Sequence, residues 1–183
     1  MFDKPAAIGV IPTDTVYGVA ARAADPAAVA RLYKLKEREG KPGTVIAADI
    51  DQLVELGLKR RYLTAVQQFW PGAVSVIIPC ADPQLQYLHQ GAMSLAVRIP
   101  SNKDIQDLLQ KTGPLLTSSA NHPGEPTATT IDQAKATFGD EVDFYVDGGD
   151  LSDNKPSTII RVVDDAIEVI RQGAVTMDEN TGE

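Results

Sequence analysis

The chain has 183 residues, 43% apolar and 23% charged, the composition of an ordinary soluble domain that builds its own core. A single cysteine, Cys80, excludes an internal disulfide, and no apolar run reaches the ~18 residues of a membrane span. The formal net charge of −8 argues against tight, nonspecific nucleic-acid binding, because such binding rests on cation–phosphate contacts.

The first residues, Met1 to Thr15, carry no apolar run behind a basic stretch, so no secretory leader is expected and the cytoplasm is the default compartment. Residues 6–11 (AAIGVI) read as a short buried strand that Pro12 ends. Asp25-Pro26 reads as an N-cap with proline at the first helical position, opening a helix over 26–38 that Gly40 and Pro42 stop. A strand follows at 44–48, then short helices at 51–56 and 61–69, with Pro71-Gly72 closing the second. Strands are predicted at 73–78 and 94–99, and Ser101 can cap a helix over 103–111. Residues 115–119 form a strand, Thr130 and Gln133 open a helix that ends near Gly139, and strands follow at 143–146, 157–163 and 166–171. Asp164-Asp165 reads as a hairpin turn between the last two. This order implies one α/β domain over 1–183, with an open, twisted, mixed sheet and flanking helices.

In open α/β sheets ligands gather where strands give way to loops. The loop Pro12 to Gly18 follows the first strand with Thr13, Asp14 and Thr15, which suits either a polar ligand or a self-satisfied turn. Lys34, Lys36, Arg38 and Lys41 gather at a helix end, where bases also simply complement the helix dipole. Arg98 lies inside an apolar strand and needs an anionic partner, either an internal carboxylate or a ligand. Thr117 to Asn121 leads a strand into a Pro/Gly-rich loop through Thr127, where small side chains admit close backbone approach to phosphate or the loop caps itself. Pro156-Ser157-Thr158 enters a strand, and Arg171 and Gly173 end the next. Neither a P-loop nor a dinucleotide fingerprint occurs, nor a metalloprotease or C-x-x-C motif, and the two histidines, His89 and His122, do not suggest a protein-built metal site. Cations at strand ends of an acidic chain suit a small, highly charged anion such as a nucleoside triphosphate.

Thr13-Asp14-Thr15-Val16-Tyr17-Gly18, Lys36-Glu37-Arg38, Leu95 to Pro100, Ser119-Ala120-Asn121, Pro156-Ser157-Thr158 and Arg171-Gln172-Gly173 together resemble the ordered motifs of the YrdC-like threonylcarbamoyl-AMP synthases, over residues 8–173. Each motif is weak alone, and six in order are specific. The resemblance is to the short, single-domain form. It implies a mixed sheet around a concave basic pocket and a nucleotidyltransferase that makes threonylcarbamoyl-AMP and pyrophosphate from L-threonine, bicarbonate and ATP. A partner complex would then pass the threonylcarbamoyl group to tRNA, next to the anticodon. Lys36 and Arg38 are implied as catalytic. Together with Ser119, Asn121, Thr127 and Arg171 they would hold ATP. Thr15, Arg98, Thr117 and Ser157 would hold threonine, with Arg98 on its carboxylate. Mg²⁺ would arrive on the triphosphate, with no metal site in the protein and no covalent enzyme intermediate. Two departures stand out: Glu39 where many relatives have proline, and Ile46 and Ala47 near the place of a histidine in longer ones. The competing readings are a double-stranded RNA or tRNA-binding module on the same concavity, with weak or transient RNA contact, and a related carbamoyl-transfer maturation protein.

Overall fold

The computed structural model describes residues 1–178. Its strands are β1 (Ile8–Pro12), β2 (Tyr17–Arg22), β3 (Thr44–Ile46), β4 (Val74–Pro79), β5 (Ser94–Arg98), β6 (Leu115–Ser119), β7 (Phe144–Tyr145), β8 (Thr158–Val163) and β9 (Ala166–Arg171). They join one mixed sheet of nine strands in the order β7-β1-β2-β6-β3-β5-β4-β8-β9. The pairs β1–β7, β3–β5 and β4–β8 are parallel, and the others are antiparallel. The helices are α1 (Pro26–Leu35), α2 (Ile50–Leu56), α3 (Arg60–Ala65), α4 (Gln86–His89), α5 (Lys103–Thr112) and α6 (Ile131–Phe138).

Side chains alternate across a strand, and this alternation divides the core in two. Val10, Val19, Val45 and Leu116 pack in a larger cluster with Leu32 of α1, Leu53 of α2, Leu63 of α3, Leu88 of α4 and Phe138 of α6. Their neighbours Ile11, Ala20, Ile46 and Leu115 pack in a smaller cluster with Ile105 and Leu109 of α5. The second face of the sheet thus has apolar cover beneath α5. Further along that face, β3, β5 and β6 present Thr44, Ala96 and Thr117, which belong to neither apolar cluster. The register sets Thr44 opposite both Ala96 and Thr117, and Ile77 opposite Ala96. These four residues form one row of mostly small side chains across the sheet. Just before β3, a Cβ on Gly43 would meet the Thr117 carbonyl at 2.6 Å, so only glycine allows this close approach.

Local chemistry explains most element ends. The Asp25 carboxylate accepts from the Ala27 and Ala28 amides, each at 3.1 Å, and so caps α1. Asp164 and Asp165 both take left-handed φ, at 49° and 62°, in the β8–β9 turn. Three expectations are corrected. The helix predicted over 26–38 stops at Leu35, because Glu37 turns left-handed (φ 48°) and the Glu37 and Arg38 amides bond back to Lys34 and Tyr33 carbonyls at 3.2 and 3.0 Å. The cap of α5 is Asn102, whose side chain accepts from the Asp104 and Ile105 amides, and not Ser101. The helix predicted over 61–69 is α3 followed by a 3₁₀ turn, Gln67–Phe69. Strand β2 is absent from the sequence reading. Its alanine-rich Tyr17–Arg22 run has little strand preference of its own and is held by pairing with β1 on one side and β6 on the other.

Candidate functional site

The uncovered part of the second sheet face forms a hollow of about 430 Å³, inside the ~300–1,000 Å³ range of small-molecule sites. Its floor is the row of Thr44, Ala96, Thr117 and Ile77, and its rim is made of loops. The site therefore lies over the face of the sheet, where the sequence reading looked to strand ends. Small residues on the floor leave the room, and loop residues supply the charge.

Among the described residues, four cationic side chains line this hollow, Arg38, Lys41, Arg98 and Arg171, and no carboxylate does. Burial depresses the guanidinium pKa of Arg38. Burial first, then the nearby charges of Arg38 and Arg98, depresses that of Arg171. Like charges are being held together against repulsion, in a chain with a net charge of −8. An anionic ligand relieves that repulsion. Among the described residues, the buried side-chain atoms lacking a hydrogen-bond partner are Arg98 Nε and Ser118 Oγ. Both residues line the hollow. Buried polar groups are normally satisfied, so Arg98 Nε, on the sheet face that carries Thr44 and Ala96, favours a polar ligand at this place, whereas the Ser118 hydroxyl lies on the opposite face with Leu116.

Most residues singled out in the sequence converge here. Thr15, Arg38, Arg98, Thr117, Ser119, Ser157 and Arg171 all line the hollow. The Thr13 hydroxyl donates to the Val16 carbonyl at 2.7 Å, so Thr15 Oγ1 is the donor in its 3.0 Å contact with Thr13 Oγ1. Thr117 Oγ1 donates to the Thr44 carbonyl at 3.1 Å, fixing β6 to β3. Arg171 Nη2 donates to the Ser157 carbonyl at 2.7 Å, and Ser157 Oγ lies 2.8 Å from Ser75 Oγ. Ser119 Oγ donates to Asn121 Oδ1 at 2.6 Å. Asn121 and Thr127 do not line the hollow; the Asn121 amide instead donates to the Glu125 carbonyl at 2.7 Å and shapes the loop.

Lys36 differs from its expected place. The left-handed turn at Glu37 sends Lys36 and Arg38 to different surroundings. Arg38 reaches the hollow, whereas Lys36 is 4% exposed and does not line it. Burial, followed by the Arg38 charge, lowers the Lys36 pKa to about 8. Glu39 does not line this hollow; with Glu37, Tyr33, Lys34 and Gln90 it lines an adjoining outer one, which Arg38 and Lys41 also border. Ile46 and Ala47 are fully buried in the two cores.

Arg98 has the internal carboxylate that the sequence left open. Asp14 bonds to its Nη1, and the two side chains are only 7% and 4% exposed. Asp14 was singled out in its loop but not as the partner of Arg98, because the two are 84 positions apart. The signal available was a single carboxylate in an otherwise hydroxyl-rich loop. Thr13, Lys41, Thr44, Ser94 and Ser118 also line the hollow without having been assigned to it. The described residues contain no group of three His, Cys, Asp or Glu side chains placed to hold a metal ion, and no helix long and apolar enough to cross a membrane.

The architecture is a mixed α/β sheet with a cation-rimmed hollow on one face. The chain belongs to the Sua5/YciO/YrdC family, whose model, described as "Telomere recombination", matches residues 4–173. It is 32% identical over 173 residues to the threonylcarbamoyl-AMP synthase of Bacillus subtilis, covering 92% of this chain and 50% of that protein. It is 36% identical over 152 residues to the threonylcarbamoyl-AMP synthase of Chromohalobacter salexigens, covering 81% of this chain and 82% of that one. The crystal structure of Pyrococcus abyssi Sua5 complexed with L-threonine superposes with a TM-score of 0.79 at 26% identity, over 94% of this chain and 52% of that protein. The chain thus spans about half the length of the B. subtilis and P. abyssi relatives.

Asp14→Ala is expected to destabilise the fold by about 3 kcal/mol, because it leaves the Arg98 guanidinium buried without its carboxylate. Urea unfolding followed by circular dichroism measures this, and a change below ~1 kcal/mol contradicts a tight buried pair. A pH dependence also follows. Lys36 carries its charge below about 8 and loses it above, so affinity of the hollow for an anion whose own charge is constant over this range, such as inorganic sulfate, is expected to drop as the pH rises through that value. Equilibrium dialysis checks it: Lys36→Arg keeps its charge and should abolish the drop, and a flat profile in the unaltered chain contradicts the effect.

Proposed function

We propose that this chain is an L-threonylcarbamoyladenylate synthase, a nucleotidyltransferase that joins L-threonine, bicarbonate and ATP into threonylcarbamoyl-AMP and pyrophosphate. The observation that carries the proposal is the hollow itself, with Arg38, Lys41, Arg98 and Arg171 around it and no lining carboxylate among the described residues. The names of the relatives and the L-threonine in the P. abyssi complex support the choice of substrates.

In this reading the triphosphate lies toward Arg38, Ser119 and Arg171, near the loop that Asn121 and Thr127 belong to. Charge-assisted contacts with guanidinium groups are the strong ones for phosphate. L-Threonine lies toward Thr15, Thr117 and Ser157, with its carboxylate on Arg98. Asp14 holds one edge of that guanidinium, and the unpartnered Nε leaves a donor for the substrate. The threonine amine attacks the carbon of bicarbonate to give the carbamate and water. A carbamate oxygen then attacks the α-phosphorus, and pyrophosphate leaves. No protein nucleophile is required. Catalysis comes from positioning and from cations that stabilise charge on the phosphates. Mg²⁺ enters as part of the nucleotide substrate. We assign the product to a threonylcarbamoyl-transferring complex that acts on tRNA, in the cytoplasm.

Pyrophosphate release should require all three substrates together. Arg38→Ala and Arg171→Ala should each lower kcat/KM for ATP by about 100-fold with the fold intact, as expected for a charged contact in the transition state. Release without threonine, or near-normal rates in both variants, contradicts the proposal.

A further inference from the structure

The ammonium of Lys36 has three protons, and three oxygens surround it. The Ser119 carbonyl accepts at 2.7 Å, Asn121 Oδ1 accepts at 2.9 Å, and the Asn121 carbonyl accepts in a short contact. A lysine ammonium has three donors and no acceptor, so its hydrogen-bonding capacity is filled from within the protein. All three acceptors belong to the stretch 119–121, which lies 83 to 85 positions away in sequence. A phosphate oxygen could bond Lys36 only by displacing one of them.

The stretch that Lys36 grips holds much else in place. The Ala120 amide donates to the Tyr17 carbonyl, and the Ala128 amide donates back to the Ala120 carbonyl, both at 2.9 Å. Asn121 Oδ1 receives both the Lys36 ammonium and the Ser119 hydroxyl, and its amide group closes onto Glu125. The wall of the hollow at Ser119 and the start of the loop from His122 to Thr127 are thereby tied to the end of α1. On the other side of the turn at Glu37, Arg38 is the cation that reaches the hollow.

We propose that Lys36 is a positioning residue: its ammonium pins the Ser119–Asn121 segment to the end of α1, and it acts on the bound anion through that segment, without a direct contact. This changes the role expected from the sequence, where Lys36 and Arg38 both touch phosphate. The link to turnover rests on the substrate reading above. The pin itself does not, so the test uses the protein without ligand.

Hydrogen–deuterium exchange of the ligand-free full chain, compared with Lys36→Met, reads the pin directly. Loss of the ammonium should speed exchange of the Ala120, Asn121 and Ala128 amides by about tenfold or more, with strands β4 and β8 unchanged. Lys36→Arg should restore part of the protection. ATP affinity should fall in Lys36→Met in parallel with protection. Unchanged exchange in Lys36→Met together with lost ATP binding overturns the proposal, because it makes Lys36 a direct ligand. Should Lys36→Met not fold, NMR of the Lys36 ammonium in the unaltered chain decides. Slow exchange of its protons with water before ATP is added supports the pin. Slow exchange only once ATP is bound overturns it. If the pin is present but ATP does not bind, the positioning role stands and the substrate reading fails.

Discussion

Arg38, Lys41, Arg98 and Arg171 are held around one hollow, with Arg171 placed against the like charges of Arg38 and Arg98, and most of the architecture near them serves that end. No local preference would gather these residues. They come from the turn after α1, the loop before β3, the end of β5 and the end of β9. What holds them is a sheet whose second face is half covered. Beneath α5 the face is apolar and packed, and beyond it Thr44, Ala96 and Thr117 leave a shallow floor. A leucine at position 96 would fill that floor, and a charged ligand could not then approach the sheet.

The cations are supported unequally, which suits different tasks. Arg98 sits against Asp14 at the base of the hollow, so its guanidinium is fixed in direction and its charge is largely balanced. Such a group suits one planar carboxylate. Arg171 is braced by the Ser157 carbonyl and keeps its charge. Arg38 has only long contacts, to the Lys41 and Pro42 carbonyls at 3.5 and 3.4 Å. These two suit a ligand with several negative oxygens. The buried ammonium of Lys36 stands behind the wall and bonds Ser119 and Asn121, and burial lowers its pKa to about 8.

How much of this was legible in the sequence depended on distance along the chain. The Asp25-Pro26 cap, the Asp164-Asp165 turn and the strands on either side of it are local chemistry and read correctly. Of the residues that the resemblance assigned to the site, Thr15, Arg38, Arg98, Thr117, Ser119, Ser157 and Arg171 do line the hollow. Strand β2 was not legible, because its alanines become a strand only between two neighbours. Asp14 as the partner of Arg98, and Lys36 turned inward onto Ser119, involve separations of 84 and 83 residues. A K-x-R spacing looks the same whether its two cations point together or apart. The left-handed φ of Glu37 decides that, and glutamate gives no sign of it.

A crystal structure of the chain grown with ATP, L-threonine and Mg²⁺ tests the central claim most directly. It should show phosphate oxygens against Arg38 and Arg171 and an amino-acid carboxylate on Arg98, in one continuous site over Thr44 and Thr117. Nucleotide bound elsewhere, for example in the separate hollow beside Trp70 and Arg60, with the cationic hollow empty, would contradict it.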